Sequence, residues 1–263
     1  MFSLAGSAEV GLSPDFALAR YNANGSLDNA FGSFGRVATD IASGSQDAAI
    51  GMVLQPDGKI VTAGYAVINT SSAQIALVRY NSNGTLDPTF GTNGKVTTSI
   101  GLAISYGFSL ALQTDGKMIV AGAALIGASA EFAAARYRTD GSLDDSYGFG
   151  GKVVVDFGDN GANLAYTVAL DSMSRAVIAG DANGVFGVAR LLGDPFLQVS
   201  RTSTNTVLVS WPSPSTGFNL QQTTDLNTTN WSVAPEFVND NGTNRFIIVN
   251  PPAGNRFYRL RKP

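Results

Sequence analysis

The residues of this 263-residue chain best suited to chemistry sit in a loop that occurs three times. Its pattern is Asn or Asp, any residue, Asn or Asp, Gly, two residues, Asp. The copies are Asn22, Asn24 and Asp28; Asn81, Asn83 and Asp87; and, with Arg138 in the first position, Asp140 and Asp144. Oxygen-bearing side chains around a tight glycine turn suit a hard cation such as Ca²⁺, which takes about six to eight oxygen ligands. Affinity follows the charge of the ligand set, so loops that mix neutral amides with one carboxylate would bind calcium weakly. The same residues support a second reading. Asn-Gly or Asp-Gly makes a turn, Leu27, Leu86 and Leu143 plug the core, and Asp28, Asp87 and Asp144 cap amides or pair with an arginine. An arginine does recur once per unit, as Arg20, Arg79, Arg136 and Arg190. A ring of these would hold an anion or an acidic sugar, whereas singly each would brace its own turn.

Other chemistry is sparse. The chain has no histidine and no cysteine, which removes the commonest general base, thiolate catalysis and disulfides. It contains no nucleophile elbow, no phosphate-binding glycine loop and no Ser-x-x-Lys pair. Glycine-rich pieces such as residues 148–151 stand between β segments, not before a helix. The expectation is a non-enzymatic protein without a cofactor beyond weak calcium. A propeller glycosidase or lyase with paired carboxylates is the alternative. A net charge of −3 offers no basic footprint for nucleic acid. No run reaches the roughly 18 apolar residues of a membrane span, and the first residues lack the basic and apolar regions of a signal peptide.

The elements that position these residues are strands. Only 14% of residues are charged and 30 are glycine, a composition that suits stacked β-sheets. Gly6, Gly64, Gly122 and Gly180 stand 58 residues apart. The first three gaps between this glycine and the following arginine are 14 or 15 residues and the last is 10, while the arginine-to-glycine distance stays at 43 or 44. Length variation therefore falls in one loop per unit, where display loops are expected. Pro-Asp-Gly and Thr-Asp-Gly turns at residues 56–58 and 114–116 mark tight hairpins. One unit reads as four strands, at residues 95–100, 107–113, 117–121 and 131–137. Four short strands per repeat is the arithmetic of a propeller blade.

The units "F-A-L-A-R-Y-N-x-[N/D]-G-[S/T]-L-D" and "L-Q-x-D-G-K-I-V-x-A-G", read across residues 2–192, resemble the bacterial delta-60 repeat family. The resemblance implies propeller-like β repeats in exported or cell-surface proteins with no assigned enzymatic activity. The fold expected is all-β: four-stranded propeller-like blades of period about 58 over residues 1–193, as a half unit plus three, then a small β-sandwich over 194–263. The change comes around Leu192, Gly193, Asp194 and Pro195. The second part resembles a C-terminal module of large bacterial surface proteins. Its Trp211, Phe218, Trp231 and Tyr258 would form either a sugar platform or its core. The partners expected are a protein or a glycan, with an open blade edge available for self-association.

Overall fold

The computed structural model describes every residue except 12, 102, 160, 192–196, 204–205, 213–217, 228–229, 243, 251–253 and 262–263. No helix occurs among the described residues, and the chain divides into two compact units, 1–193 and 194–263. The residues between them, Leu192 to Pro195, lie outside the described set.

The first unit is an array of four antiparallel sheets. Sheet one is β1 (Phe2–Val10), β2 (Ser13–Tyr21) and β3 (Arg36–Thr39). Sheet two is β4 (Gln46–Leu54), β5 (Ile60–Asn69), β6 (Ser72–Tyr80) and β7 (Lys95–Thr98). Sheet three is β8 (Ser105–Leu112), β9 (Met118–Ile126), β10 (Ser129–Tyr137) and β11 (Lys152–Val155). Sheet four is β12 (Asn163–Leu170), β13 (Ala176–Ala182) and β14 (Val185–Arg190). These are propeller-like blades, but the grouping of strands differs from the expected one. The strand at Lys95–Thr98 closes sheet two, pairing Ile75 with Thr98 and Val78 with Lys95; it does not open sheet three. The half unit plus three thus becomes sheets of three, four, four and three strands.

The length variation also has a different form. Thr70 and Ser71 turn β5 into β6, and Gly127 and Ala128 turn β9 into β10. No long loop stands there. The shorter fourth hairpin has shorter strands, seven and six residues against nine and nine in sheet three.

Alternation along each strand supplies two packing faces. In β10, Phe132 and Ala134 join the core shared with sheet four, while Ala133 and Ala135 join the core shared with sheet two. Small residues on one face let the neighbouring sheet approach closely. Each fully buried large side chain contributes about 1.5–3 kcal/mol over its exposed state, so stacking holds the array more than strand propensity does. The equivalent positions Phe16, Ile75 and Phe132 are at most 1% exposed, whereas Phe186, on the uncovered face of sheet four, is 80% exposed.

The second unit has β15 (Gln198–Arg201), β16 (Val207–Pro212), β17 (Asn219–Thr223), β18 (Ser232–Val233), β19 (Asn239–Asp240), β20 (Asn244–Val249) and β21 (Phe257–Arg261). They form two sheets, β15-β16-β20-β19 and β18-β17-β21. Val209, Ile247 and Val249 from one meet Leu220 from the other around Trp211. Trp211 is core, Tyr258 packs against it, and Trp231 lies under the Arg259 guanidinium at 4.2 Å. Phe218 is half-buried.

Candidate functional site

The recurring loop is a clasp. Asn24 Oδ1 accepts from the Ser26 amide and hydroxyl, and the Asn22 side-chain amide donates to the Leu27 carbonyl at 3.2 Å. Asn81 and Asn83 repeat both bonds, and Asp140 accepts from Ser142 in the same way. The final carboxylates pair with arginine: Asp28 with Arg20 at 2.7 Å, Asp87 with Arg79 at 2.8 Å, Asp144 with Arg136 at 3.0 Å. Each of these guanidiniums also lies over the aromatic ring that follows in its loop, at 4.4 Å for Phe31, 4.6 Å for Phe90 and 4.4 Å for Tyr147. Arg20 donates onward to the Ser82 carbonyl and Arg79 to the Thr139 carbonyl, so each brace reaches the next blade. The Gly32 and Gly91 amides reach the carbonyls of Asn83 and Asp140 at 2.8 Å.

The structure therefore gathers each set of candidate ligands into a turn whose carboxylate already faces cations. Asp87 also meets Lys59 at 2.9 Å, and Asp144 meets Lys117 at 3.1 Å. This geometry fits the turn-and-pair reading of Asn22, Asn24, Asp28, Asn81, Asn83, Asp87, Asp140 and Asp144. Nor do the arginines form a shared anion ring: Arg20, Arg79 and Arg136 are each held by their own aspartate, and Arg190 is exposed at the end of β14.

These pairs set an acid limit. Burial pushes the Asp87 carboxyl up, but hydrogen bonds from Lys59 and Thr89 and the Arg79 charge outweigh it and hold it well below the usual carboxylate range. Burial opposes Asp144 likewise, yet Ser146, Lys117 and Arg136 hold it down at about 2. A depressed carboxylate stabilises the fold above its unfolded value of about 4, and that contribution is lost as pH falls towards the folded value. Thermal melts are expected to change little down to about pH 4.5 and to fall steeply below about pH 4. Flat melts to pH 2 would contradict the assignment. Asp15 and Asp47 run the other way. Burial pushes both up, helped at each by the Asp40 charge, so their cost at neutral pH is relieved on acidification.

What remains free to meet a ligand is a set of residues the sequence does not flag. The first strand of each complete hairpin carries a β-bulge, between Ala49 and Gly51, Gly107 and Ser109, and Ala165 and Thr167. The extra residue is Ile50, Phe108 or Tyr166, again 58 apart. A bulge turns its side chain out of the regular alternation. Ile50 is 49% and Tyr166 53% exposed. Because β4 lies beside β8 and β8 beside β12, these residues fall in line across the blades. Tyr65 meets Tyr106 edge-on at 4.8 Å, Tyr106 stacks with Phe108 at 6.0 Å, and Phe108 approaches Tyr166 at 5.8 Å. A groove of about 480 Å³ opens at the Tyr65 end, walled by Ser7, Pro14 and Gln46. Another of about 480 Å³ adjoins Tyr166, Val185 and Phe186.

The recurring glycine belongs to this feature. A Cβ on Gly64 or Gly122 would lie 1.8 Å from the carbonyl oxygen of Ala48 or Tyr106, and on Gly180 1.9 Å from that of Leu164. These glycines face the bulges, which bring the opposing carbonyl too close for any side chain. Gly6 has nothing within 4 Å, since sheet one has no strand on that side.

Stacked antiparallel sheets joined by repeated clasps define a propeller-like repeat array. Three stretches of it, residues 4–31, 55–90 and 113–147, match the family described as "Domain of unknown function (DUF5122) beta-propeller". No curated protein matches the chain. Among solved structures, a protein of unknown function from Dyadobacter fermentans DSM 18053 is similar, with 12% identity and a TM-score of 0.37. The match covers 78% of this chain and 66% of that one.

Proposed function

We propose that this chain is a non-enzymatic repeat scaffold of a bacterial surface or secreted protein, and that it binds glycans along the row Tyr65, Tyr106, Phe108 and Tyr166. The observation that carries the reading is the aromatic row across three blades, whose neighbouring ring centres lie 4.8, 6.0 and 5.8 Å apart, with Phe108 and Tyr166 standing at the strand bulges. Aromatic faces suit the apolar faces of sugar rings; Tyr65, Tyr106 and Phe108 are half-buried and Tyr166 is exposed, and Gln46 and Thr167 beside them supply polar partners for hydroxyls. The resemblance to delta-60 repeats supports the surface or secreted setting. The repeated charges support the scaffold role, since the clasps use them to join blades.

A glycan array probed with the whole chain tests this. Retained polysaccharide signal is expected, weakened about tenfold or more for each ring removed in Tyr106→Ala and Tyr166→Ala. A blank array, or variants that bind like the parent, would sink the glycan reading and leave the scaffold alone.

A further inference from the structure

The junctions between neighbouring blades repeat one arrangement. Each has a residue early in the third strand of a blade, one just after its last strand, and one at the start of the next blade's first strand. At the second junction these are Gln74, Ser99 and Ser105, and at the third Glu131, Asp156 and Asn163. Both close locally. The Ser105 hydroxyl accepts from the Ile100 amide and donates to the Ile100 carbonyl, each at 2.8 Å. The Asn163 side-chain amide donates to Glu131 at 2.9 Å and to Asp159 at 3.0 Å.

The first junction differs. It holds Asp15, Asp40 and Asp47, each offering a carboxylate oxygen within 4.8 Å of the others. Asp47 does what Ser105 does: its carboxylate accepts from the Ile41 amide at 2.7 Å and from the Ser45 hydroxyl at 2.6 Å. The other two carboxylates are surplus to that need. Asp15 is 5% exposed, and its carboxylate receives no hydrogen bond and no ion pair among the described residues. Asp40 Oδ1 is enclosed and likewise without a donor. Lys95 stands nearby, but its ammonium donates to the Asp40 backbone carbonyl at 2.5 Å. One ammonium against three carboxylates leaves the place of a divalent cation open.

A buried carboxylate without a donor is costly, and in folded proteins such groups are paired or coordinate a metal. We propose that Asp15, Asp40 and Asp47 bind a calcium ion that joins the first two blades. All three ligands are hard oxygens, and two oxygens on opposite sides of Ca²⁺, each at about 2.3–2.6 Å, stand up to about 5 Å apart. The separations at this junction fall inside that span. The site is distinct from the Asn and Asp turn loops, whose carboxylates face arginine.

The test uses the full chain with Ca²⁺ alone. Thermal melts in excess calcium and in chelator are expected to differ by about 5 °C or more at a hundredfold excess over Kd. Calorimetric titration should give one site per chain. Asp15→Asn and Asp40→Asn keep the side-chain size and should each abolish both the shift and the titration heat. Superimposable parent melts would overturn the proposal. So would a calcium response that survives in both variants, which would locate binding elsewhere.

Discussion

Asp144→Ala is expected to destabilise the repeat array by about 3–5 kcal/mol, with the loss read as a lower urea midpoint. Asp144 is 3% and Arg136 2% exposed, so removing the carboxylate leaves a buried guanidinium without its anionic partner, facing the neutral Ser146 hydroxyl and the Tyr147 ring. Breaking a buried pair costs far more than the pair itself is worth, because the surviving charge is uncompensated. Asp145→Ala provides the contrast. Asp145 meets Arg138 at 3.6 Å with side chains 75% and 43% exposed, and exposed pairs contribute about 0–1 kcal/mol. The double variant Arg136→Met, Asp144→Leu should recover part of the loss, because it leaves no buried charge. Equal effects of the Asp144 and Asp145 substitutions would show that the clasp does not hold the blades.

Gly122→Ala is the second large effect, with a built-in control. The new methyl would fall 1.8 Å from the Tyr106 carbonyl, and backbone cannot yield as a flexible side chain would. Overpacking of this kind costs about 1–3 kcal/mol, and a forced strand shift adds to it. At Gly6, the same repeat position, nothing lies within 4 Å, and alanine is expected to change stability by less than about 0.5 kcal/mol. If Gly6→Ala were as damaging as Gly122→Ala, the glycine would serve some need other than the bulge.

Much of this architecture could be read from turn chemistry. Asp-Gly and Asn-Gly turns between short apolar runs imply fourteen strands in the first unit, and fourteen form. The grouping of strands was not legible because a periodic string has no phase. Whether Lys95–Thr98 opens one blade or closes another depends on its pairing with Ile75 to Val78, across the Asn81 loop. The period of the glycine was visible but its cause was not, since the cause is a carbonyl on a different strand. The bulge that moves that carbonyl leaves no mark in composition.

Charge pairing was half legible. Arginine and aspartate recur together and do pair, but nothing in the spacing of Lys59 and Lys117 announces a partner beyond their own turns. They reach back to Asp87 and Asp144 instead. The third hairpin carries the signal: it lacks this lysine, and the segment after Arg190 lacks the matching Gly-Ser-Leu-Asp. There Ser174 takes the glycine's place at φ 57°, and Asp171 pairs with Arg175 at 2.7 Å. Asp15, Asp40 and Asp47 follow no motif spacing, and only the meeting of three elements brings them together.

The claim that the blades present a sugar-binding row is tested most directly by electrophoresis in native gels containing a polysaccharide chosen from the array. The parent chain should be retarded relative to a gel without polysaccharide. Tyr166→Ala, which removes an exposed ring outside every core, should migrate freely, while Trp231→Ala in the second unit should be retarded like the parent. Retardation that persists without Tyr166 and disappears without Trp231 would contradict the account and move recognition to the second unit.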